Sequence, residues 1–123
     1  MKIFYDIYQS VLHWIRKYLL FPLIWRCHFS EKQLQKKFKH AFAFGITGNC
    51  NPSNIIVFKQ TLLDHMIDTN TVIINGSYRG EHVKHFFNPI TKLNVMCQNH
   101  KFLSAWHLSM KPEKHLLLNG NIT

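Results

Sequence analysis

Acidic side chains are scarce in this sequence. Six Asp and Glu stand against fifteen Lys and Arg, which gives a formal charge of +9, and nine histidines add charge in mildly acidic surroundings. This imbalance argues against cationic partners and favours polyanions. Nucleic acid is the first candidate, and the alternatives are an acidic membrane surface and an acidic protein that neutralises the chain.

Cysteine is also rare. The three cysteines, Cys27, Cys50 and Cys97, are odd in number and lack the CxxC or Cys-His spacing of a metal site. At 123 residues the chain is long enough to bury a core without disulfides. We therefore expect reduced cysteines, no metal and no cofactor, in one domain with at most one appendage.

Long apolar runs are missing as well. Arg16 and Lys17 interrupt the apolar N-terminal region, and the uncharged run 18–25 is too short to span a bilayer. Asp6 and His13 lie where a signal peptide would have its apolar centre, and no small-residue cleavage site follows. We expect neither a transmembrane span nor a cleaved leader.

The first thirty residues differ in character from the rest. Ile3, Ile7, Val11 and Ile15 recur at the four-residue spacing of an amphipathic helix. Three interpretations stay open: a helix docked on the domain's own core, an interfacial membrane segment, and a helix that contacts another protein. The tryptophans and cations suit the membrane version: Trp14, Arg16, Lys17, Trp25 and Arg26. We divide the chain into a helical appendage, 1–30, and a domain, 31–123.

Two further helices are predicted next. The sequence 30–33, Ser-Glu-Lys-Gln, has the form of a capping box, in which the serine accepts a backbone hydrogen bond and Gln33 reaches back. The apolar stripe of this helix should consist of Leu34, Phe38, Ala41 and Phe42. Asn51-Pro52 predicts the start of another helix, which ends near Asp68. His65 lies beside its apolar stripe, and we expect it at the surface or the boundary.

The second half favours strands. We predict strands at 71–74, 78–88 (interrupted at Arg79-Gly80), 93–97 and 102–108, turns at Asn75-Gly76, 88–92 and 98–101, and a closing helix at 111–118. The order predicts an α+β fold, with N-terminal helices followed by a small antiparallel sheet and a short C-terminal helix.

The stretch 36–40, Lys-Lys-Phe-Lys-His, carries three ammonium groups and one imidazole. On a helix, Lys36, Lys39 and His40 would share one face and leave Lys37 to one side. A histidine can move a proton near neutral pH, and fixed cations can hold the charge that develops on a phosphoryl group. The stretch suits metal-free cleavage of a phosphodiester. The alternative is a solvated basic helix end.

An ordered series of motifs resembles the C-terminal nuclease domain of the colicin D family of bacterial toxins. The residues that carry the resemblance are Lys37-Phe38-Lys39-His40-Ala41, Phe44-Gly45, Gly76-Ser77-Tyr78-Arg79-Gly80, His85-Phe86-Phe87-Asn88-Pro89, Leu93-Asn94-Val95 and Ser104-Ala105-Trp106-His107-Leu108-Ser109. They cover about residues 33–118. Their common order is more specific than any one motif.

The resemblance implies roles for particular residues. His40 would be the catalytic acid or base, Lys37 and Lys39 would serve the substrate phosphate, and Ser104 and Trp106 would complete the site. Trp106 could stack on an unpaired base, with a core tryptophan as the alternative. Further RNA contacts would come from Lys36, Arg79, His85 and His107, and Tyr78 could contact phosphate beside Arg79. For both histidines the alternative is a structural role. For Arg79 the alternative is a solvent-exposed position in a turn.

The resemblance also implies a function. The family's nucleases cut tRNA in the anticodon loop, without a metal or cofactor, and leave a 2′,3′-cyclic phosphate and a 5′-hydroxyl. The type member of the family acts on arginine tRNAs. A small acidic immunity protein keeps such a toxin silent, which fits the charge of +9. The expected site of action is the cytoplasm, after secretion or delivery into a target cell.

Three residues depart from the family pattern: Ala43 stands where an acid is expected, and Lys92 and Ala105 stand where glycine is expected. Lys92 would be forced to a positive φ, at a cost of about 1 kcal/mol that a fold can tolerate. The methyl group of Ala105 would lie beside the site and narrow it. These departures motivate a second hypothesis, a catalytically degenerate tRNA-binding or RNA-binding remnant. A third is a peripheral membrane or partner-binding protein that uses residues 1–30.

Overall fold

The computed structural model describes residues 2–15 and 27–123. Some of our expectations concern residues outside these ranges, namely Arg16, Lys17, the run 18–25 and Arg26. The described elements are, in chain order, α1 (Lys2–Ile15), α2 (Glu31–Lys37), a 3₁₀ helix (Phe38–Phe44), α3 (Pro52–Ile67), β1 (Val72–Tyr78), β2 (Glu81–Phe87), β3 (Leu93–Gln98), β4 (Lys101–His107), α4 (Met110–Asn119) and β5 (Asn121–Ile122). The α+β prediction is confirmed.

The predicted helix starts are confirmed. Ser30 Oγ accepts from the Gln33 amide at 3.1 Å, and Asn51 caps α3 by accepting from the Asn54 amide at 2.8 Å. The Gln33 side chain differs from the prediction, because Nε2 does not reach back to Ser30 but donates to the Leu103 carbonyl at 2.6 Å. This bond joins α2 to β4.

The 3₁₀ helix changes which residues face the core. With three residues per turn, Phe38, Ala41 and Phe44 line up on one side, and they pack against the helical core. Phe42, predicted for the apolar stripe, is 79% exposed. That prediction assumed a continuous α-helix, and the tighter winding after Lys37 rotates Phe42 into solvent.

His65 is buried rather than exposed. Its Nε2 lies 2.8 Å from the Phe86 carbonyl of β2, and its ring packs edge-on against Phe44. The surface prediction was wrong because the sheet supplies a hydrogen-bond partner that the periodicity of α3 alone does not reveal.

The five strands form one sheet in the order β4-β3-β2-β1-β5, antiparallel except for the parallel pair β1 and β5. The strand β5 was not predicted. Asn75-Gly76 lies inside β1 and not in a turn, and the turn falls at Arg79-Gly80. A side chain at Gly76 would overlap the carbonyl of Gly120, so this glycine serves the close approach of the chain before β5.

The sheet is strongly curled. Hydrogen-bond register aligns Trp106 with Asn94, Phe87 and Val72 across four strands. Tyr78 lies six residues further along β1, so a flat sheet would separate Trp106 and Tyr78 by roughly 25 Å, at ~4.8 Å per strand and ~3.3 Å per residue. Their ring centroids are 5.3 Å apart. Twist and coiling therefore bring two diagonal corners of the sheet together.

Each face of the sheet has its own apolar core. The convex face packs on α2, the 3₁₀ helix and α3 through residues that include Phe86, Val95 and Ala105. The concave face holds Phe87, Leu108, Leu116 and Ile122, with Ile74, Tyr78 and Trp106 at its margin. The concave core thus lies directly behind the Trp106–Tyr78 pair.

Cys27 and Cys97 form a disulfide with Cα atoms 6.1 Å apart, and Cys50 is free and exposed. The expectation of three reduced cysteines was wrong for the pair, because their approach follows from tertiary packing across 70 residues of sequence. Cys27 and Phe29 belong to the convex-side core. The division of the chain at residue 30 stays a prediction. Residues just before this boundary, from Cys27 onwards, already pack against the domain.

Helix α1 has no fully buried residue, and its partly buried residues are Gln9, Leu12 and Ile15. Packing of α1 on the domain is therefore limited to one side of the helix. Its recorded hydrogen bond to the rest of the chain joins Thr69 Oγ1 to Gln9 Oε1 at 3.4 Å. Among the described helices, none is both long enough and apolar enough to cross a bilayer.

The disulfide should contribute strongly to stability, because a bridge across 70 residues removes much chain entropy from the unfolded state. We expect reduction, or the double substitution Cys27→Ala/Cys97→Ala, to lower the free energy of unfolding by up to about 4 kcal/mol. Urea unfolding with and without dithiothreitol measures this. Cys50→Ala is the matched control and should respond to reductant as wild type does. Wild-type stability that ignores reductant would contradict the prediction.

Candidate active site

Five side chains meet where the 3₁₀ helix approaches the closed corners of the sheet. The His40 ring lies 6.1 Å from that of Trp106, which in turn packs against Tyr78, and Arg79 Cζ lies 5.0 Å from the centre of the Tyr78 ring. Lys37 is near enough to Arg79 for the two charges to interact. We call Lys37, His40, Tyr78, Arg79 and Trp106 the His40 cluster.

The winding of the 3₁₀ helix places Lys37 and His40 together. Residues three apart eclipse one another in such a helix, and both of these side chains are half-buried while Lys36 and Lys39 are exposed. The prediction that Lys36, Lys39 and His40 share one face was therefore wrong. Lys37, expected to one side, is the lysine that belongs to the cluster.

The charges around His40 are of one sign. Burial lowers the pKa of His40 from its usual 6.5, and the cations Lys39 and Lys37 lower it further. Burial also lowers the pKa of Lys37, with Lys36, Lys39 and Arg79 adding to the effect. These shifts favour the neutral form of His40, the form that a general base needs, and neither Lys37, Lys39 nor Arg79 forms an ion pair within residues 2–15 and 27–123.

Metal chemistry has no ready ligand set here. No group of three His, Cys, Asp or Glu side chains suited to a metal ion occurs within residues 2–15 and 27–123. The donors of the cluster are an imidazole, an ammonium, a guanidinium and a phenol. This set suits an anion and proton transfer.

Arg79 occupies a strained backbone position. Arg79 and Gly80 have φ values of 50° and 81°, which makes the β1–β2 connection a two-residue turn with both central residues left-handed. A non-glycine residue pays about 1 kcal/mol or more for this conformation. The turn directs the guanidinium over the Tyr78 ring and towards Lys37. Backbone strain of this kind is typical of residues at functional sites.

Ser104 lies beneath the cluster. It shares the concave face with Trp106, as the two-residue spacing predicts, but it is 2% exposed. Its Oγ and the Oδ1 of buried Asn94 have no hydrogen-bond partner among the residues that the structure describes. Ser104 therefore offers a free hydroxyl that a phosphate could reach only if Trp106 or its neighbours shift.

His85 is fully buried and bonded at both ring nitrogens. Its Nε2 lies 3.1 Å from the carbonyls of Ser77 and Gly120 and must donate, so Nδ1 accepts from Asn94 Nδ2 at 3.1 Å. Burial lowers its pKa despite the two carbonyls, which favours this neutral form. Its burial excludes direct contact with RNA in this structure and favours the structural role. His107, by contrast, is exposed on the opposite face of β4 from Trp106.

The departures from the family pattern have different consequences. Ala105 faces the helices, pairs with Val95 and is completely buried, so the expectation that its methyl group narrows the site was wrong. Lys92 has the predicted positive φ, at 64°, and its Nζ binds Glu113 at 2.7 Å. Ala43 is exposed on the 3₁₀ helix.

A separate cavity of about 310 Å³ lies elsewhere, and none of the predicted catalytic side chains lines it. Its walls are Cys27, Asn75, His82, Val83, Lys84, Phe86, Cys97, Asn99 and His100. The cavity is therefore not part of the His40 cluster.

The sequence pointed to Tyr78 only as a phosphate contact beside Arg79, and it did not single out Asn94. Tyr78 joins Trp106 to Arg79, and Asn94 orients His85 below them. Both residues belong to the motifs around Gly76–Gly80 and Leu93–Val95, which could have drawn attention to them. The motifs do not indicate which face of the sheet each side chain occupies.

Comparisons with known proteins show which family the chain resembles. Residues 33–115 match the Colicin D family model. The chain is 41% identical over 85 residues to Colicin-D of Escherichia coli, which covers 66% of this chain and 12% of that protein. It also resembles the solved structure of a ribonuclease from Escherichia coli complexed with its inhibitor protein, at 34% identity and a TM-score of 0.65, across 73% of this chain and 100% of that one. The chain thus spans about an eighth of the length of the curated relative it matches.

The cations should control the titration of His40. We expect its pKa, measured by NMR titration, to lie below the ordinary 6.5 and to rise in Lys39→Gln, because removal of a neighbouring positive charge stabilises the imidazolium. Lys114→Gln, an exposed change on α4, is the matched control and should leave the value unchanged. A His40 that titrates above 6.5, or that ignores Lys39→Gln, would contradict this account.

Proposed function

Since this chain belongs to the colicin D family, we propose that it is a ribonuclease toxin that cuts tRNA in the anticodon loop without a metal. The observation that carries the proposal is the half-buried imidazole of His40, which lies beside the ring of Trp106 and near enough to Lys39 and Lys37 for their charges to lower its pKa. The similarity to a solved ribonuclease supports the same class of reaction. A fold match alone would not, because function depends on the site.

The chemistry needs little from the protein, because RNA carries its own nucleophile. In the proposed step His40 takes the proton of the 2′-hydroxyl, the 2′-oxygen attacks phosphorus, and the bond to the 5′-oxygen breaks. The products are a 2′,3′-cyclic phosphate and a 5′-hydroxyl, whose proton comes from water or from Lys37. Lys37, Lys39 and Arg79 stabilise the charge that develops on the phosphoryl oxygens.

The aromatic pair supports an unpaired substrate. Trp106 is partly exposed and its ring packs at a tilt of 56° against Tyr78, so an extruded base can stack on the exposed part of the indole. Proteins commonly hold single-stranded RNA in this way, whereas a duplex hides its base faces. The loop of a tRNA presents such bases. Lys36 and His107, exposed at either side, would contact the backbone around it.

Partner and location follow as parts of the same proposal. An acidic inhibitor protein that covers the His40 cluster would relieve the repulsion among its cations, and the solved relative is itself complexed with its inhibitor protein. The Cys27–Cys97 disulfide supports passage through an oxidising environment, since such bonds rarely persist in a reducing cytosol. We propose delivery into a target cell, with action in its cytoplasm.

Incubation with total tRNA tests the activity. We expect cuts confined to anticodon loops, in the presence of EDTA, with 5′-hydroxyl ends that accept a kinase label directly. His40→Ala should slow cleavage by about 10²–10⁴-fold because the proton acceptor is lost. His115→Ala, an exposed histidine on α4, should cut as wild type does.

Three outcomes would contradict the nuclease proposal: intact tRNA with wild type, cleavage equal in His40→Ala, or an absolute need for a divalent metal. Salt-sensitive tRNA binding without cleavage would instead establish the alternative, a degenerate RNA-binding remnant.

Stacking of an RNA base on Trp106 should contribute to the affinity for tRNA. In a His40→Ala background, which keeps the tRNA intact, we expect Trp106→Ala to weaken binding by about 1–3 kcal/mol and Trp106→Phe to restore much of it. Fluorescence anisotropy with a labelled anticodon stem-loop measures the affinities, and thermal unfolding confirms that the variants fold. Equal affinities for all three proteins would exclude the stacking role.

A further inference from the structure

Helix α1 exposes an unusual amount of apolar surface. Its large side chains include Ile3, Phe4 and Ile7, which are 71%, 75% and 56% exposed. No residue of the helix is buried. Contiguous apolar surface of this kind on a protein is typically an interaction site.

The apolar and polar residues of α1 separate cleanly around the helix. At 100° per residue, the apolar side chains fill one continuous arc of roughly 200°, and the remaining arc is polar. The apolar arc holds Ile3, Phe4, Tyr5, Ile7, Tyr8, Val11, Leu12, Trp14 and Ile15, and the polar arc holds Lys2, Asp6, Gln9, Ser10 and His13. The helix therefore has two distinct faces.

One border of the apolar arc is turned towards the domain. Gln9, at the edge of the polar arc, is bonded to Thr69, just beyond the end of α3. Leu12 and Ile15, on the same side of the helix, are partly buried, while the other apolar side chains of α1 are exposed. The contact through Gln9 consequently leaves most of the apolar arc open to solvent.

Charge and composition indicate the occupant. A protein with a net charge of +9 repels a second copy of itself and is attracted to an anionic surface. Lys2 begins the helix, and Arg16-Lys17 follow it directly in the sequence, while Asp6 is its single acid. Tyrosine and tryptophan, present here as Tyr5, Tyr8 and Trp14, are enriched where lipid meets water.

We propose that α1 binds the surface of an anionic lipid bilayer and lies in its plane, with the apolar arc among the acyl chains. Fourteen residues give a helix of about 21 Å, too short to cross a hydrocarbon core of about 30 Å. Amphipathic helices with cations and aromatic residues bind membranes in this orientation. The proposal goes beyond the nuclease function and does not depend on it.

Vesicle co-sedimentation of the full chain tests the proposal. The probes are vesicles of phosphatidylcholine alone and of phosphatidylcholine with phosphatidylglycerol. We expect binding to the anionic vesicles, and at least a tenfold loss in Ile7→Glu/Val11→Glu, which places two charges in the apolar arc. The matched control is Ile90→Glu/Leu118→Glu, two exposed apolar positions outside α1 that add the same charge.

Absence of binding to anionic vesicles would overturn the proposal. Equal losses in both double variants would also overturn it, because the net charge and not α1 would then drive binding. So would a dimer in light scattering that Ile7→Glu/Val11→Glu dissociates, since a second copy would then cover the helix. Cleavage of tRNA by the α1 variant should equal that of wild type, so failure here is distinguishable from failure of the nuclease proposal.

Discussion

The contact between Trp106 and Tyr78 is the interaction on which the site depends. These residues lie at opposite ends of strands three positions apart, and only the curl of the sheet brings their rings to 5.3 Å. The concave core behind them, with α4 and β5, holds that curl in place. Gly76 is part of the same arrangement, because it allows the chain at Gly120 to pack against β1. A flatter sheet would leave Arg79 far from Lys37 at the end of α2.

The helical side of the site is positioned by a different set of contacts. The bond from Gln33 to the Leu103 carbonyl joins α2 to β4 one residue before Ser104. The 3₁₀ helix then follows directly from α2 and places His40 beside Trp106. The disulfide from Cys27 to Cys97 anchors the chain that enters α2 to the neighbouring strand β3. Both of these contacts lie on the N-terminal side of His40, and they fix the helical segment that carries the imidazole against the sheet.

Electrostatic repulsion gives the assembled site its affinity for anions. Lys37 is half-buried among Lys36, Lys39 and Arg79, and its lowered pKa reflects the cost of keeping these charges together. A phosphate that enters removes that cost, whereas a neutral ligand does not. Burial and the same repulsion lower the pKa of His40, so in the proposed mechanism one arrangement would both attract the substrate backbone and prepare the base. Nucleic acid and an acidic inhibitor protein would therefore compete for one surface.

Local sequence determined what depends on neighbours in the chain. The caps at Ser30 and Asn51, the α+β order of elements, and the positive φ at Lys92 were all predictable, because each is set by a few adjacent residues. The motif around His40 also suggested the chemistry that we propose, since a capacity for proton transfer and phosphate binding follows from residue type.

Tertiary structure alone decided which distant residues meet. Neither the disulfide, nor the burial of His65 and His85, nor the inclusion of Tyr78 follows from spacing, because each depends on how two elements pack. Lys37 replaced its neighbours in the cluster because the helix tightens at that point, and Ala105 faces away from the site because of strand register. Sequence supplied the reactive groups, and the curl of the sheet selected those that act together.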